Sequence, residues 1–167
     1  MDRTIKLYSL EYKDARTYIT AALFAVGNIV LPQLCHLVPQ GGVTWLPIYF
    51  FTLVAAYKYG WLTGLLTAIV SPLANSALFG MPAVAVLPAI MLKSTLLAIV
   101  AAIVATRYRK VSLPLLALVV LLYQAFGTLG EWLLCGDMAV AMQDLRIGIP
   151  GMLLQIFGGY AVIRLLK

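Results

Sequence analysis

The fold class is decided by residues 84–106, which read VAVLPAIMLKSTLLAIVAAIVAT, and by residues 113–135, which read LPLLALVVLLYQAFGTLGEWLLC. Each run is long enough to cross a bilayer as a helix, because about 20 apolar residues span the hydrocarbon core. Lys93 interrupts the first run, and Glu131 lies near the end of the second. Charged groups at membrane depth are costly and face a bundle interior, a partner charge or a water-filled cavity. The two runs therefore predict a helical membrane bundle with a polar pocket, which indicates solute handling.

The composition points to the same class. Hydrophobic residues make up 63% of the 167 residues and charged residues only 11%, whereas a soluble domain carries about 25% charged residues. We therefore expect one all-α integral membrane domain over residues 16–167, preceded by a polar cytoplasmic segment over residues 1–15. The chain has neither a P-loop nor a Rossmann motif. We expect a subunit that binds no cofactor, does not hydrolyse ATP and is not an enzyme.

Six apolar runs are visible along the chain. They cover residues 16–37, 43–57, 61–78, 84–106, 113–134 and 146–166. The second run is short for a straight span and contains Pro47. A five-span alternative merges the second and third runs around Lys58, but residues 57–60 read as a tight interfacial turn. The favoured prediction is six transmembrane helices.

The distribution of Lys and Arg tests this topology independently. With the N-terminus inside, ten of the 12 basic residues fall on the cytoplasmic side, namely Arg3, Lys6, Lys13, Arg16, Lys58, Arg107, Arg109, Lys110, Arg164 and Lys167. The outer connections hold only Arg146, together with Asp137 and Asp144. Because cytoplasmic loops carry an excess of positive charge, the pattern predicts six spans with both termini in the cytoplasm.

The outer connections are expected to surround the pocket. They comprise residues 38–42, 79–83 and 135–145, and the last is long enough for a short surface helix or a lid. Lys93 and Glu131 both belong to the outer half of their helices in this topology. A pocket formed there opens to the outside.

Lys93 and Glu131 lead the candidate substrate-binding residues. Gln124 lies seven residues before Glu131, so the two share one face of a helix. Together these residues predict a polar lining. The alternative is a buried Lys93–Glu131 salt bridge that only holds helices together, and such a pair is weak evidence for stability.

Four further residues near the outer boundary are candidates for the same pocket. Asn75 follows Pro72 at the end of the third run, where it either hydrogen-bonds a solute or caps a broken helix. Trp45 and Trp132 are explained by the aromatic belt of membrane proteins or by stacking on a flat ligand. His36 lies between Cys35 and the first outer connection.

The two cysteines and the histidine support no metal site. Cys35, His36 and Cys135 all fall near the outer face, but neither a C-x-x-C nor an H-x-x-x-H spacing is present. A Cys35–Cys135 disulfide stays open, because two cysteines cannot establish it.

Two motifs carry a resemblance to a known family. The first is the small-residue pair Ala21 and Ala25, with Ala22 beside it, and the second is residues 75–82, NSALFGMP. With six short helices in about 170 residues, the chain resembles the substrate-binding S component of an energy-coupling-factor vitamin transporter from residue 16 onward. The resemblance implies that Ala21, Ala22 and Ala25 contact a membrane scaffold subunit. It also implies that two gating loops close over the substrate, with Gly41, Gly42, Gly80, Met81 and Pro82 in them.

The resemblance implies that several subunits share the transport function. The subunit captures a vitamin-like solute from outside in a prokaryotic plasma membrane and delivers it after docking on the scaffold, which two ATPase subunits drive. Lys93 departs from the family, in which the following helix often holds an acidic residue. If Lys93 faces the pocket, it favours an anionic or carboxylate solute, although Glu131 complicates that argument.

Two other functions stay open on the sequence. One is a small self-sufficient channel or carrier, for which inverted repeats are expected but none is visible. The other is a structural membrane subunit, in which Lys93 and Glu131 pair internally and no solute binds.

Overall fold

The computed structural model describes Leu7, Tyr8 and residues 10–166, and in this part of the chain all regular structure is helical. Asp2, Arg3 and Lys6 of the expected cytoplasmic segment, and Lys167, lie outside the described residues. In chain order the helices are α1 (Ala15–Cys35), α2 (Gly41–Trp45), a 3₁₀ turn (Pro47–Tyr49), α3 (Phe50–Tyr59), α4 (Trp61–Phe79), α5 (Leu87–Tyr108), α6 (Leu113–Cys135), α7 (Met138–Ala141), α8 (Gln143–Ile147), α9 (Ile149–Leu153), a π-helical turn (Leu154–Gly158) and α10 (Gly159–Leu165).

Among the described residues, four helices are long and apolar enough to cross a membrane, namely α1, α4, α5 and α6. A fifth is obtained if residues 138–147 and 149–165, whose axes differ by 56°, form one broken span. The prediction of an all-helical, multi-pass type of membrane protein is confirmed. Four of the six predicted runs correspond to span-length helices, and the second does not.

The second run is divided into α2, the 3₁₀ turn and the ten-residue helix α3. Residues Leu53, Val54, Ala55 and Ala56 of α3 are fully buried, because α1, α4, α5 and α10 pack around it. A helix that is apolar on all sides belongs in the centre of a bundle. The run is therefore hydrophobic because it fills the protein core.

The turn after α3 contradicts the alternative in which the second and third runs merge into one span. Gly60 has φ 100°, a conformation that glycine adopts readily, and it separates α3 from α4. The two helices pack closely where Gly64 faces Ala56, and a Cβ at Gly64 would clash with the Ala56 side chain. The predicted turn at residues 57–60 is therefore confined to Gly60, because α3 continues to Tyr59.

The small residues of α1 face the interior. Ala21 and Ala25 are only 5% and 4% exposed, whereas Ala22 is exposed. Thr67 of α4 approaches the Ala21 carbonyl at 3.5 Å, so this face packs α1 against α4, as small residues do in membrane bundles. The prediction that Ala21 and Ala25 are available to contact a membrane scaffold subunit is wrong for this structure, because α4 already covers them.

A buried amide joins three helices near the end of the bundle where α1 and α4 end. Asn28 of α1 donates to Thr52 Oγ1 at 3.0 Å and to Ser71 Oγ at 3.3 Å, and its Oδ1 accepts from the Phe51 N–H at 3.0 Å. The Asn28 carbonyl accepts from Asn75 Nδ2 at 2.8 Å. These bonds fix α1, α3 and α4 relative to one another and hold Asn75 in place.

We expect Gly64→Val to destabilise the bundle by roughly 1–3 kcal/mol, because the added methyl groups overpack the α3–α4 contact. Thermal unfolding of the detergent-purified protein measures the loss. Ala22→Val, at an exposed position of α1, is the control and should leave the unfolding temperature nearly unchanged. Equal losses in both variants would contradict close packing at Gly64.

Candidate functional site

A cavity of about 360 Å³ lies at the end of the bundle where α1 and α4 end and α5 begins. Its walls come from α1, α2, the 3₁₀ turn, α4, α5, α6, α7 and α8, together with the connections after α1 and α4. Of the substrate-binding residues predicted from the sequence, the cavity brings together His36, Asn75, Lys93 and Glu131. Its volume suits a small organic solute.

Lys93 is the centre of the site. It is 2% exposed, and its Nζ contacts Glu131 Oε2 and donates to Asp144 Oδ2 at 2.7 Å. Gly127 of α6 makes room for the lysine stem, since a Cβ there would lie 2.7 Å from Lys93 Cγ. The sequence left open whether Lys93 lines a pocket or pairs with Glu131, and the structure shows both.

Asp144 completes the cluster and was missed as a site residue. The sequence placed it in the connection after α6, which was expected to form a short surface helix or a lid and which forms the short helices α7 and α8. Asp144 is 51 positions away from Lys93 in the chain, so no local spacing links them. The sequence nevertheless contained a clue to this contact. A buried ammonium needs a partner of opposite charge, and only two acidic residues lie in the outer connections of the predicted topology.

Tyr49 is the second residue that the sequence did not indicate. It belongs to the 3₁₀ turn, lines the cavity and is 2% exposed. No hydrogen bond joins its hydroxyl to another described residue, and its ring packs against Tyr123 with 5.7 Å between centroids. Buried tyrosine hydroxyls usually find a hydrogen-bond partner. The Tyr49 hydroxyl is therefore a polar group of a cavity-wall residue that has no hydrogen-bond partner among the described residues.

Asn75 has a structural role as well as a place in the cavity wall. Its Nδ2 donates to the Asn28 carbonyl at 2.8 Å and to the Ser71 carbonyl at 3.1 Å, and its Oδ1 accepts from Gln33 Nε2 at 3.3 Å. The sequence left two roles open for Asn75, namely hydrogen bonding to a solute and capping a broken helix. The observed bonds hold the C-terminal ends of α1 and α4 together.

Gln124 does not reach the cavity, and its prediction as a lining residue is wrong. It shares a helix face with Glu131 but lies about 10 Å deeper, because each helical residue rises about 1.5 Å. Its Nε2 donates to Tyr123 Oη at 3.1 Å, and Tyr123 Oη donates to Gln155 Oε1 at 2.9 Å. Gln155 lies in the π-helical turn, so these bonds join α6 to the last span.

The two tryptophans also lie outside the cavity wall, so their prediction as substrate contacts is wrong. Trp45 is 40% exposed and Trp132 is 37% exposed. The backbone of Trp45 instead lies against Gly151, where a Cβ would clash with it. Their positions fit the aromatic belt that the sequence offered as the other explanation.

Only some residues of the two predicted gating loops line the cavity. Gly42, Met81 and Pro82 line the cavity. Gly41 is instead buried against the Cys35 carbonyl, and Gly80, at φ 67°, ends α4. Gly42 leaves space for the imidazole of His36, whose Nε2 would lie 2.7 Å from a Cβ at that position.

The metal and disulfide questions can be answered for the described residues. Within them no group of three or more His, Cys, Asp or Glu side chains is placed to hold a metal ion. Cys35 and Cys135 are both free thiols. The site therefore consists of a salt-bridged cluster, polar side chains and apolar walls.

A larger and more open groove of about 770 Å³ lies at the opposite end, between α4 and α5. It holds two arginines at its end but no converging set of polar groups, and its floor is apolar. The groove is lined by Trp61, Ile99, Ala102, Ile103, Thr106, Arg107 and Arg109. The smaller cavity around Lys93 is the better candidate site, because binding sites combine enclosure with a few convergent polar groups.

Comparison with known proteins found no matching protein family, no matching curated protein and no matching solved structure.

We expect Lys93→Met to destabilise the protein by about 3–5 kcal/mol, because the carboxylates of Glu131 and Asp144 would remain buried without their cation. Thermal unfolding in detergent measures this loss. Removing all three charges in Lys93→Met/Glu131→Gln/Asp144→Asn should cost less, since no uncompensated charge remains. Arg146→Met, on an exposed residue of α8, is the control. A triple variant as unstable as the single variant would contradict charge compensation.

Proposed function

We propose that this protein captures a small vitamin-like solute from outside the cell and delivers it inward as the S component of an energy-coupling-factor importer. The observation that supports this most is the 360 Å³ cavity with the Lys93 cluster in its wall. A polar cavity inside an apolar bundle is costly to maintain. Solute binding gives such a cavity a use that anchoring alone does not.

The proposal includes six spans with both termini in the cytoplasm. In it, the 3₁₀ turn and α3 are a short second span enclosed by its neighbours, and residues 149–165 are the sixth. The basic residues support this arrangement, because they gather at the end opposite the cavity. Tyr57 donates to the Lys110 carbonyl at 2.8 Å there, and Arg107 and Arg109 lie beside Trp61. Positive charge collects on the cytoplasmic side of membrane proteins.

Delivery across the membrane needs a partner, and the proposed partners are a scaffold subunit and two ATPases. Since Ala21 and Ala25 are covered by α4, we assign docking to the outward face of α1. Its exposed residues include Ile19, Ala22, Leu23, Val26 and Val30. This face is apolar and suits either lipid or another transmembrane helix.

A structural subunit is the competing function, and one observation favours it. The Lys93 cluster is a fully formed internal ion pair network that joins α5, α6 and α8, so it holds helices together even without a solute. The two functions differ in what the cavity contains. A structural subunit needs no ligand, whereas a solute-binding subunit loses its ligand when the cluster is neutralised.

Impermeant thiol reagents test the topology in intact cells. Cys135 is exposed at the cavity end, so we expect it to be labelled from outside, and Cys135→Ser should remove most of the signal. In a cysteine-free background, Lys110→Cys should be labelled only after the cells are permeabilised. Labelling of Lys110→Cys in intact cells would contradict cytoplasmic placement of that end.

Mass spectrometry of small molecules released from the detergent-purified protein tests solute capture. We expect a stoichiometric vitamin-like molecule from the native protein and at least about a tenfold loss of it in the variant Lys93→Met/Glu131→Gln/Asp144→Asn, because charge-assisted contacts to a ligand are lost. Asp137→Asn is the matched control. It removes a carboxylate in the same connection but preserves a side chain that can cap α7.

Two outcomes would contradict solute capture. One is a native protein that releases no small molecule and binds none from a vitamin panel. The other is a neutralised triple variant that folds and keeps the same molecule at the same stoichiometry. Either would favour the structural subunit.

A further inference from the structure

We propose that the cavity around Lys93 takes a solute that carries a positive charge, with Glu131 and Asp144 as its counter-ions and Tyr49 as an additional contact. This inference rests on the proposed function and names the class of solute. It reverses the anionic preference that Lys93 suggested in the sequence, because that argument treated the lysine as the leading charge of the site.

The charge balance of the cavity is negative. Lys93 contributes one positive charge, and Glu131 and Asp144 contribute two negative charges, which leaves one negative charge in excess. Among the described residues that line the cavity, no other Lys, Arg, Asp or Glu is present, and His36 is the remaining titratable group besides Tyr49. Arg146 is exposed and lies outside the wall. An unbalanced charge in a poorly solvated cavity attracts an opposite charge far more strongly than in water.

The hydrogen-bonding capacity of the cluster is unbalanced in the same direction. The Lys93 ammonium has three donors and already serves two carboxylates, whereas each carboxylate has about four acceptor positions. Asn75 adds no free donor, because its amide nitrogen donates to two carbonyls. Within the Lys93 cluster, unused acceptors therefore outnumber unused donors. A protonated amine or a similar cation supplies the donors that this surface lacks.

Tyr49 supports the same class of ligand through a separate observation. It is 2% exposed and lines the cavity, and its hydroxyl makes no hydrogen bond to another described residue. A phenol oxygen accepts a hydrogen bond from an ammonium, and an aromatic ring attracts a cation placed over its face. The ring favours a positively charged group over a carboxylate, and the hydroxyl is able to accept a hydrogen bond from that group.

An anionic solute would meet an unfavourable arrangement. An anion could reach only the third donor of Lys93, where it would lie beside the carboxylates of Glu131 and Asp144 and be repelled by both. To gain a second donor it would have to displace one of these carboxylates from Lys93, and breaking such a pair is strongly unfavourable. Lys93 is therefore assigned as the internal cation that holds the two carboxylates in position.

Binding of named probes to the purified full-length protein tests the inference. The probes form three matched classes at pH 7, with thiamine and tryptamine as cations, pyridoxine and tryptophol as neutral compounds, and pantothenate and indole-3-propionate as anions. We expect a cation to bind most tightly by fluorescence titration and thermal shift. We also expect Asp144→Asn to weaken it by about tenfold or more, since a desolvated charge pair is lost. Tyr49→Phe should weaken it less, and Asp137→Asn should not change it.

The outcomes separate the two proposals. Two results would overturn the charge inference while solute capture stands. One is tight binding of an anion or a neutral compound alone. The other is a cation affinity that does not change in folded Asp144→Asn and Glu131→Gln variants. Failure of every probe, together with no small molecule released from the native protein, would overturn solute capture and the charge inference with it.

Discussion

A lysine ammonium enclosed by apolar helices has to be neutralised where it lies, and the cavity end of this structure depends on that constraint. Lys93 of α5 contacts Glu131 of α6 and Asp144 of α8. The cluster thereby holds a surface connection against two span-length helices. Removing the lysine alone would leave two buried like charges, which is worse than removing all three groups. The same contacts form one wall of the cavity, so stability and binding depend on one set of side chains.

The rest of the bundle separates that polar end from the opposite one by closely packed helices. Helix α3 is fully surrounded, and close contacts such as Gly64 with Ala56 allow α3 and α4 to pack tightly. Asn28 fixes α1, α3 and α4 beneath the cavity through paired hydrogen bonds. Such bonds are well suited to a membrane bundle, where helix association relies on close packing and interhelical polar contacts. The basic residues then lie at the far end.

The assignment of a solute class changes when Asp144 is included. With Lys93 and Glu131 alone the site is neutral, and an anion is as reasonable as a cation. With Asp144 the site carries an excess negative charge, and the lysine becomes an internal counter-ion. Tyr49, a buried residue, adds a hydroxyl to the cavity wall. Neither residue interrupts an apolar run as Lys93 does, so the sequence pattern did not single them out.

The sequence by itself determined the helical class, four apolar helices long enough to span a membrane, the break at Gly60 and the two charges within apolar runs, Lys93 and Glu131. These follow from local properties, since apolar run length, glycine and an isolated charge are read within one segment. Only the tertiary structure decided that α3 is a core helix, that Ala21 and Ala25 face inward, and that Asp144 meets Lys93. Lipid and protein interior are equally apolar, so hydropathy cannot tell which one covers a helix face. A contact between residues 51 positions apart depends on how the helices pack.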